Sequence, residues 1–213
     1  MSCYLQISKH ESYKNLRIVI HSGWARGLAL RSGEESHTRP TASRVREAVC
    51  NSLSDFMQDA EVLDLFAGFG GVGIEAVSRG ARALVSVEKH AKSLLCLKAN
   101  IKALNERAKK QSIDIRTQVV AADVVDYLRR AKDEGFDLVW LDPPYAEIPT
   151  LLQKILKDLK RVCRAGGKIV LESDKKIASQ LENLFPDFLP YKQASYGHTV
   201  ISYYEAKAQG GPE

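Results

Sequence analysis

From residue 61 onward, short apolar runs alternate with stretches whose apolar positions recur at helical spacing. The runs predict strands over 61–66, 83–88, 115–120, 136–141 and 167–172. The stretches between them predict helices over 71–79, 90–105, 124–132, 148–163 and 175–184. Such alternation predicts an α/β fold, a mostly parallel sheet with helices on both faces. The two ends of the chain depart from this pattern. Residues 16–31 read as two short strands around Ser22-Gly23, followed by a polar loop over 32–40. A helix is predicted from Ser43, which suits its N-cap, with Val45, Val49, Leu53 and Met57 each four apart. After Pro190, Tyr191–Tyr196 and Thr199–Glu205 read as an antiparallel hairpin turning through Gly197-His198. The chain thus divides into an N-terminal extension (1–57), a main domain (58–206) and a disordered tail (207–213).

Composition adds little to this picture. The 213 residues are 45% hydrophobic and 27% charged, with a net charge of +5 from 31 basic and 26 acidic residues. A small positive excess fits an anionic partner without requiring one. Cys3, Cys50, Cys96 and Cys163 are scattered, which speaks against a zinc site or disulfide framework and for reduced thiols. Met1–Lys9 lacks the apolar core of a signal peptide, and no apolar run is long enough to span a membrane, so a cytoplasmic protein is expected.

The segment Val62–Gly73 changes the picture more. It places glycines at Gly68, Gly70 and Gly73 directly after a strand and at the start of a helix, the context of a nucleotide-binding loop. Phe66, Gly68 and Gly70 are the loop's cofactor candidates. Glu88 ends the next strand, where a carboxylate can accept both ribose hydroxyls. Asp64 lies just below the loop. It would repel a pyrophosphate and attract the ammonium of a methionine moiety, which favours S-adenosylmethionine over NAD. Asp123 stands where the third strand gives way to a helix. It can accept from an adenine amino group, cap that helix, or both. Glu75, early in the loop helix, reads mainly as a partner of the helix dipole.

The turn Asp142-Pro143-Pro144-Tyr145 supplies the reacting end. It follows the strand over 136–141, in the crevice where open parallel sheets bind ligands. An exocyclic base amine is a poor nucleophile, because its lone pair is delocalised into the ring. Two acceptors on its hydrogens, the Asp142 carboxylate and the Pro143 carbonyl, help turn that pair out of conjugation. The consecutive prolines remove backbone donors and hold the turn, with Pro144 bordering the substrate. Tyr145 offers a face on which an extruded base can stack. Carbon methylation of cytosine would call for a cysteine here, and none of the four is near. An oxygen acceptor would need no such pair of acceptors.

With these residues in view, the sequence resembles the bacterial 16S rRNA guanine-N2 methyltransferase family. The likeness rests on the loop, on Asp142–Tyr145, on Arg39-Pro40-Thr41-Ala42-Ser43-Arg44-Val45-Arg46-Glu47, on Gly23-Trp24-Ala25-Arg26-Gly27 and on Tyr196-Gly197-His198-Thr199. It covers about residues 16–206. It implies a Rossmann-like, S-adenosylmethionine-dependent methyltransferase with a small N-terminal extension, leaving S-adenosylhomocysteine and needing no metal. It implies as substrate the N2 amine of a guanine in a 16S rRNA hairpin loop, at position 966. It also implies an assembling small ribosomal subunit as partner and a monomeric enzyme. Phe69 stands where the family commonly has a small residue and could narrow the cofactor mouth. Ser43 stands where the family often has Asp.

The N-terminal segment has its own physical reading. Lys14, Arg17, Arg26 and Arg31 occur with no acidic residue between positions 12 and 33. Arg39, Arg44 and Arg46 continue the series, with Trp24 among them and Thr41 beside them. Basic side chains interleaved with an aromatic suit a looped RNA; Arg44 and Glu47 can equally pair across a helical turn. Three rivals remain. A DNA adenine-N6 or cytosine-N4 methyltransferase would share the loop and turn, but there is no long insertion to read sequence. A non-catalytic RNA-binding protein would have no need of Asp142. A nicotinamide dehydrogenase fits least, given Asp64.

Overall fold

The computed structural model describes residues 18–32, 40–133, 135–181, 185 and 188–207, with the side chains of 40–42 left aside. Among them, seven strands form one sheet in the order β5-β4-β3-β6-β7-β9-β8. These are β3 (Glu61–Leu65), β4 (Ala83–Glu88), β5 (Arg116–Ala121), β6 (Phe136–Leu141), β7 (Cys163–Asp174), β8 (Phe188–Tyr196) and β9 (Thr199–Ala206). The first five of these run parallel, and β9 pairs antiparallel with both β7 and β8. The reversal of strand order lies between β3 and β6, whose carboxyl ends carry the two predicted motifs. The fold is Rossmann-like, with the C-terminal antiparallel hairpin expected from the sequence.

Helices α2 (Gly71–Ser78), α3 (Ala91–Lys110), α4 (Val124–Arg130), α5 (Ile148–Val162) and α6 (Lys175–Ala178) connect the strands. In α5 the apolar stripe Ile148, Leu152, Ile155, Leu159 and Val162 is buried against the sheet. This stripe belongs to one core cluster, on the face covered by α4, α5 and α6. The other face is covered by α1 (Pro40–Ser52), α2, α3 and the hairpin of β1 (Ile18–Val19) and β2 (Ala29–Leu30). Ile18, Ile20, Val45 and Val49 share one cluster there with Ile74, Leu97 and Trp140, so the described parts of the extension, 18–32 and 40–57, are built onto the sheet.

Several boundaries move. Helix α1 begins at Pro40, so Ser43 lies inside the helix and is not its N-cap. Proline, lacking a backbone N–H, is well suited to a first helical turn. The run Glu106–Lys110, made of good helix formers, carries α3 five residues past 105. The helix expected over 175–184 is four residues long, capped by Asp174 accepting from the Ile177 N–H at 2.8 Å. Strand β7 starts at Cys163, directly after α5, with a register shift opposite Phe136/Leu138. The tail expected to be disordered lies outside the described residues except for Lys207. No described helix is long and apolar enough to cross a membrane.

Candidate active site

The glycine loop leaves β3 through a strained residue. Phe66 has φ +64° and Gly70, at the N-cap of α2, has φ +87°. The left-handed conformation costs an aromatic residue about 1–3 kcal/mol, a cost found mostly at functional sites. Gly73 permits a close approach, since a Cβ there would lie 2.9 Å from Asp64 Oδ2. Its N–H donates to that oxygen at 3.1 Å. Asp64 is 2% exposed. Burial raises its pKa from 3.8 to about 7, opposed by the Gly73 N–H and reinforced by the charge of Glu88. Asp64 therefore acts on the site through the loop and through its field.

Glu88 latches the loop from the neighbouring strand. Its Oε2 accepts the Gly68 N–H at 2.8 Å, and its Oε1 accepts the N–H groups of Lys89 and His90, both at 2.7 Å. A carboxylate offers about four acceptor positions. Three are thus committed to backbone, which leaves room for one ligand hydroxyl more readily than two. Asp123 caps α4 by accepting the Val125 N–H at 2.9 Å, and its other oxygen pairs with Lys89 Nζ at 3.3 Å. Phe69 packs against the core and over the position a Gly71 Cβ would take.

Between the loop and the Asp142 turn opens a crevice of about 550 Å³, a size suited to a nucleoside-sized ligand. It brings together Phe66, Glu88, Asp142, Pro143, Pro144 and Tyr145 from the sequence-predicted set. Asp64, Gly70 and Asp123 are not among its lining residues, and Gly68 is tied to it through Glu88.

Asp142 faces the crevice. It is an exposed residue of the crevice lining, partly desolvated by the protein around it. Desolvation holds its pKa well above the usual carboxylate range, and the charges of Glu172 and Asp64 push the same way. Burial likewise raises the Glu172 carboxyl, opposed by a hydrogen bond from Tyr145. The Tyr145 hydroxyl donates to Glu172 Oε1 at 3.1 Å and lies 3.5 Å from Thr199 Oγ1. Burial first, with Glu172 and Asp142 contributing, pushes the phenol up to about 12. A crevice lined by Glu88, Asp142 and Glu147, with Lys89 the one lysine or arginine among its lining residues, is less suited to a pyrophosphate than to a sulfonium cation. The residues present fit S-adenosylmethionine on that ground.

Of the arginines assigned to RNA, Arg26 and Arg44 are exposed, as is Arg31. Arg46 is not available as a surface contact. It is 5% exposed, donates from Nη2 to the Val19 carbonyl at 3.1 Å, and its pKa is lowered by burial despite the charge of Glu75. The α1 periodicity that buries Val45 and Val49 turns Arg46 inward as well. Arg39, Lys14 and Arg17 lie outside the described residues, and of Thr41 only the backbone, in α1, is described. Trp24 packs against the core and donates its indole N–H to the Val77 carbonyl at 2.9 Å. Glu75 is fully buried and beyond the first turn of α2. It accepts the N–H groups of His21 and Ser22 and the Nε–H of Arg79, so it ties the extension to α2 and does not serve the helix dipole.

Sequence reasoning missed Glu172, Thr199, Lys89 and His90. Lys89 and His90 had no signal beyond following Glu88. Glu172 did have one: an acidic residue closing the apolar run Ile169-Val170-Leu171, in a strand expected to lie inside the sheet.

The strand order, the latched glycine loop and the Asp-Pro-Pro-Tyr crevice define a Rossmann-like methyltransferase. Comparison with known proteins narrows this. The chain belongs to the family described as conserved hypothetical protein 95, matched over residues 17–205, the family of ribosomal RNA small subunit methyltransferase D. It is 31% identical over 194 residues to YlbH of Bacillus subtilis (strain 168), a candidate rRNA methyltransferase, covering 90% of this chain and 100% of YlbH. It is 31% identical over 165 residues to ribosomal RNA small subunit methyltransferase D of Buchnera aphidicola subsp. Acyrthosiphon pisum, covering 76% of this chain and 81% of that protein. Among solved structures, yhhF from Escherichia coli superposes with a TM-score of 0.72 at 26% identity, over 91% of this chain and 99% of that one.

Proposed function

We propose that this chain transfers the methyl group of S-adenosylmethionine to the exocyclic N2 amine of a guanine in 16S rRNA, at position 966, within the small ribosomal subunit. The observation that carries the reading is Asp142-Pro143-Pro144-Tyr145 beside the latched glycine loop in one crevice. The relatives' names supply the rRNA. When bound, S-adenosylmethionine supplies a methyl group on a positively charged sulfur. Glu88 holds a ribose hydroxyl, Phe66 borders the adenosine, and Asp64 keeps the loop in place through Gly73. Asp142 and the Pro143 carbonyl accept the amine's two hydrogens, so its lone pair points out of the ring plane toward the methyl. Positioning and a preset field supply most of the acceleration. Tyr145 stacks on the extruded base, while Arg26 and Arg44, with Arg39 and Thr41, hold the RNA strand.

The test offers tritiated S-adenosylmethionine with small subunits from cells lacking this protein and, separately, with duplex DNA. Label should enter 16S rRNA and map to a guanine N2. Label confined to DNA would establish the adenine-N6 or cytosine-N4 alternative instead. Thermal melting gives an independent check, since S-adenosylmethionine should raise the melting temperature and NAD should not.

A further inference from the structure

We propose that Glu172 is a base-reading residue, paired with Asp142 as two side-by-side acceptors that select guanine through its N1–H beside the N2 amine. The proposal rests on the guanine-N2 reading above and deepens it.

Placement comes first. Leu141 and Leu171 are register partners in the parallel β6·β7 pair, so Asp142 and Glu172 follow them as neighbours at the carboxyl ends of both strands. Strand β7 continues past this point, with Glu172 opposite Ile201 of β9. The Glu172 backbone is therefore held by β9, one residue past the end of the β6 pairing, the kind of support a specificity site needs.

The side chain is oriented as well. The Tyr145 hydroxyl donates to Oε1 at 3.1 Å, with Thr199 Oγ1 3.5 Å from that hydroxyl. Among the described residues nothing donates to Oε2. The buried carboxylates Glu75 and Glu88 are tied to more donors. Glu75 takes two backbone N–H groups and an arginine, and Glu88 takes three backbone N–H groups. Among the described residues Glu172 has instead one hydrogen-bond partner, Tyr145, which belongs to the reacting turn.

Two neighbouring, partly desolvated carboxyls with spare acceptor positions call for a ligand that brings donors. The amino-bearing bases differ in this respect. Guanine presents N1–H and the N2 amine side by side, donors only. Adenine presents an N1 acceptor beside its N6 amine, and cytosine an N3 acceptor beside its N4 amine. A carboxylate opposite N1 therefore attracts guanine and repels the other two. Asp142 takes the amine hydrogen and Glu172 takes N1–H.

The experiment compares single-turnover methylation of small subunits whose 16S rRNA carries either guanine or 2-aminopurine at the target position. 2-Aminopurine keeps the amine but presents an acceptor at N1. Wild type should favour guanine by roughly 10²-fold or more. In Glu172→Gln the amide oxygen still accepts from Tyr145, and the amide N–H can donate to an N1 acceptor. Its rate on guanine should fall, its rate on 2-aminopurine should rise, and the ratio should collapse toward one. The thermal shift with S-adenosylmethionine should persist. Equal loss on both bases with the ratio kept would overturn the base-reading role and leave a structural one. Wild type acting equally on both bases would overturn it without any variant. Wild type labelling neither base would instead sink the guanine-N2 reading, and the inference with it.

Discussion

Glu75 is fully buried and Asp142 lines an open crevice, and the protein treats the two carboxylates in opposite ways. Glu75 is surrounded by donors from its own chain: the N–H groups of His21 at 2.9 Å and Ser22 at 3.1 Å, and Arg79 Nε at 3.1 Å. Asp142 receives no donor from the described residues, and burial, Glu172 and Asp64 all act to keep its proton on. Burying a charge is tolerable only when something pairs with it. Where the chain supplies the partners, the carboxylate is a fastener, here between the N-terminal hairpin and α2. Where the chain withholds them in an open crevice, they are left for a ligand to bring, and the perturbed group marks a site.

The largest effect expected from this contrast is on stability. Glu75→Ala should cost about 3–5 kcal/mol, because it strands Arg79 and two backbone N–H groups in the interior. Urea denaturation measures it. A loss below about 1 kcal/mol would mean that water or a rearranged hairpin replaces the carboxylate, and the fastener reading would fail.

Asp142→Ala should do the reverse, cutting single-turnover methylation by roughly 10²–10³ while leaving the melting temperature at neutral pH unchanged or raised. A near-normal rate would remove Asp142 from the mechanism. A large drop in melting temperature would place it with Glu75 as a structural group.

Asp64 stands between the two, with one backbone donor and a raised pKa. Because the folded pKa is raised, the native state holds this proton more tightly than the unfolded chain. The native state therefore loses stability as pH climbs from 3.8 to about 7. Asp64→Asn keeps an acceptor for Gly73 and removes the titration. Its stability relative to wild type should grow across that window and then level off, by at most about 4 kcal/mol. A difference that is flat in pH would show that Asp64 titrates normally.

Tyr145 revises an expectation drawn from sequence. With only the ring face in mind, Tyr145→Phe should be mild. With the hydroxyl bound to Glu172, it should cost about tenfold in turnover, the value of one hydrogen bond, and Tyr145→Ala more through lost stacking. Equal rates for wild type and Tyr145→Phe would detach the hydroxyl from the site.

Much of this arrangement was legible in the sequence because it is local. The βαβ rhythm, the glycine loop and the Asp-Pro-Pro-Tyr turn each announce themselves within a few residues, and strand order then sets loop and turn at one crevice. What stayed hidden depends on partners far away in the chain. Glu75 meets residues more than fifty positions upstream, and Tyr145 meets Thr199 fifty-four positions on. No periodicity carries such pairings. Arg46 was misplaced for a related reason: charge density along the chain says nothing about which helical face is turned inward.

The smallest effect separates Arg44 from Arg46, two arginines two positions apart on α1. Arg44 is exposed, whereas Arg46 is 5% exposed with Nη2 on the Val19 carbonyl. If Arg44 contacts an RNA phosphate, Arg44→Ala should lower the slope of log affinity against log salt by about one, with little change in which RNA is preferred. Melting temperature and S-adenosylmethionine binding should stay as in wild type, because the side chain packs on nothing in the core. Arg46→Ala should show the opposite signature, a lower melting temperature with an unchanged salt slope once folded protein is compared. Filter binding to small subunits between low and moderate salt reads both slopes. An Arg44→Ala slope equal to wild type would move the RNA path off α1, toward Arg26 and Arg31 on the β1–β2 hairpin. An Arg46→Ala slope reduced as much as that of Arg44→Ala would mean that the guanidinium leaves its buried position when RNA binds.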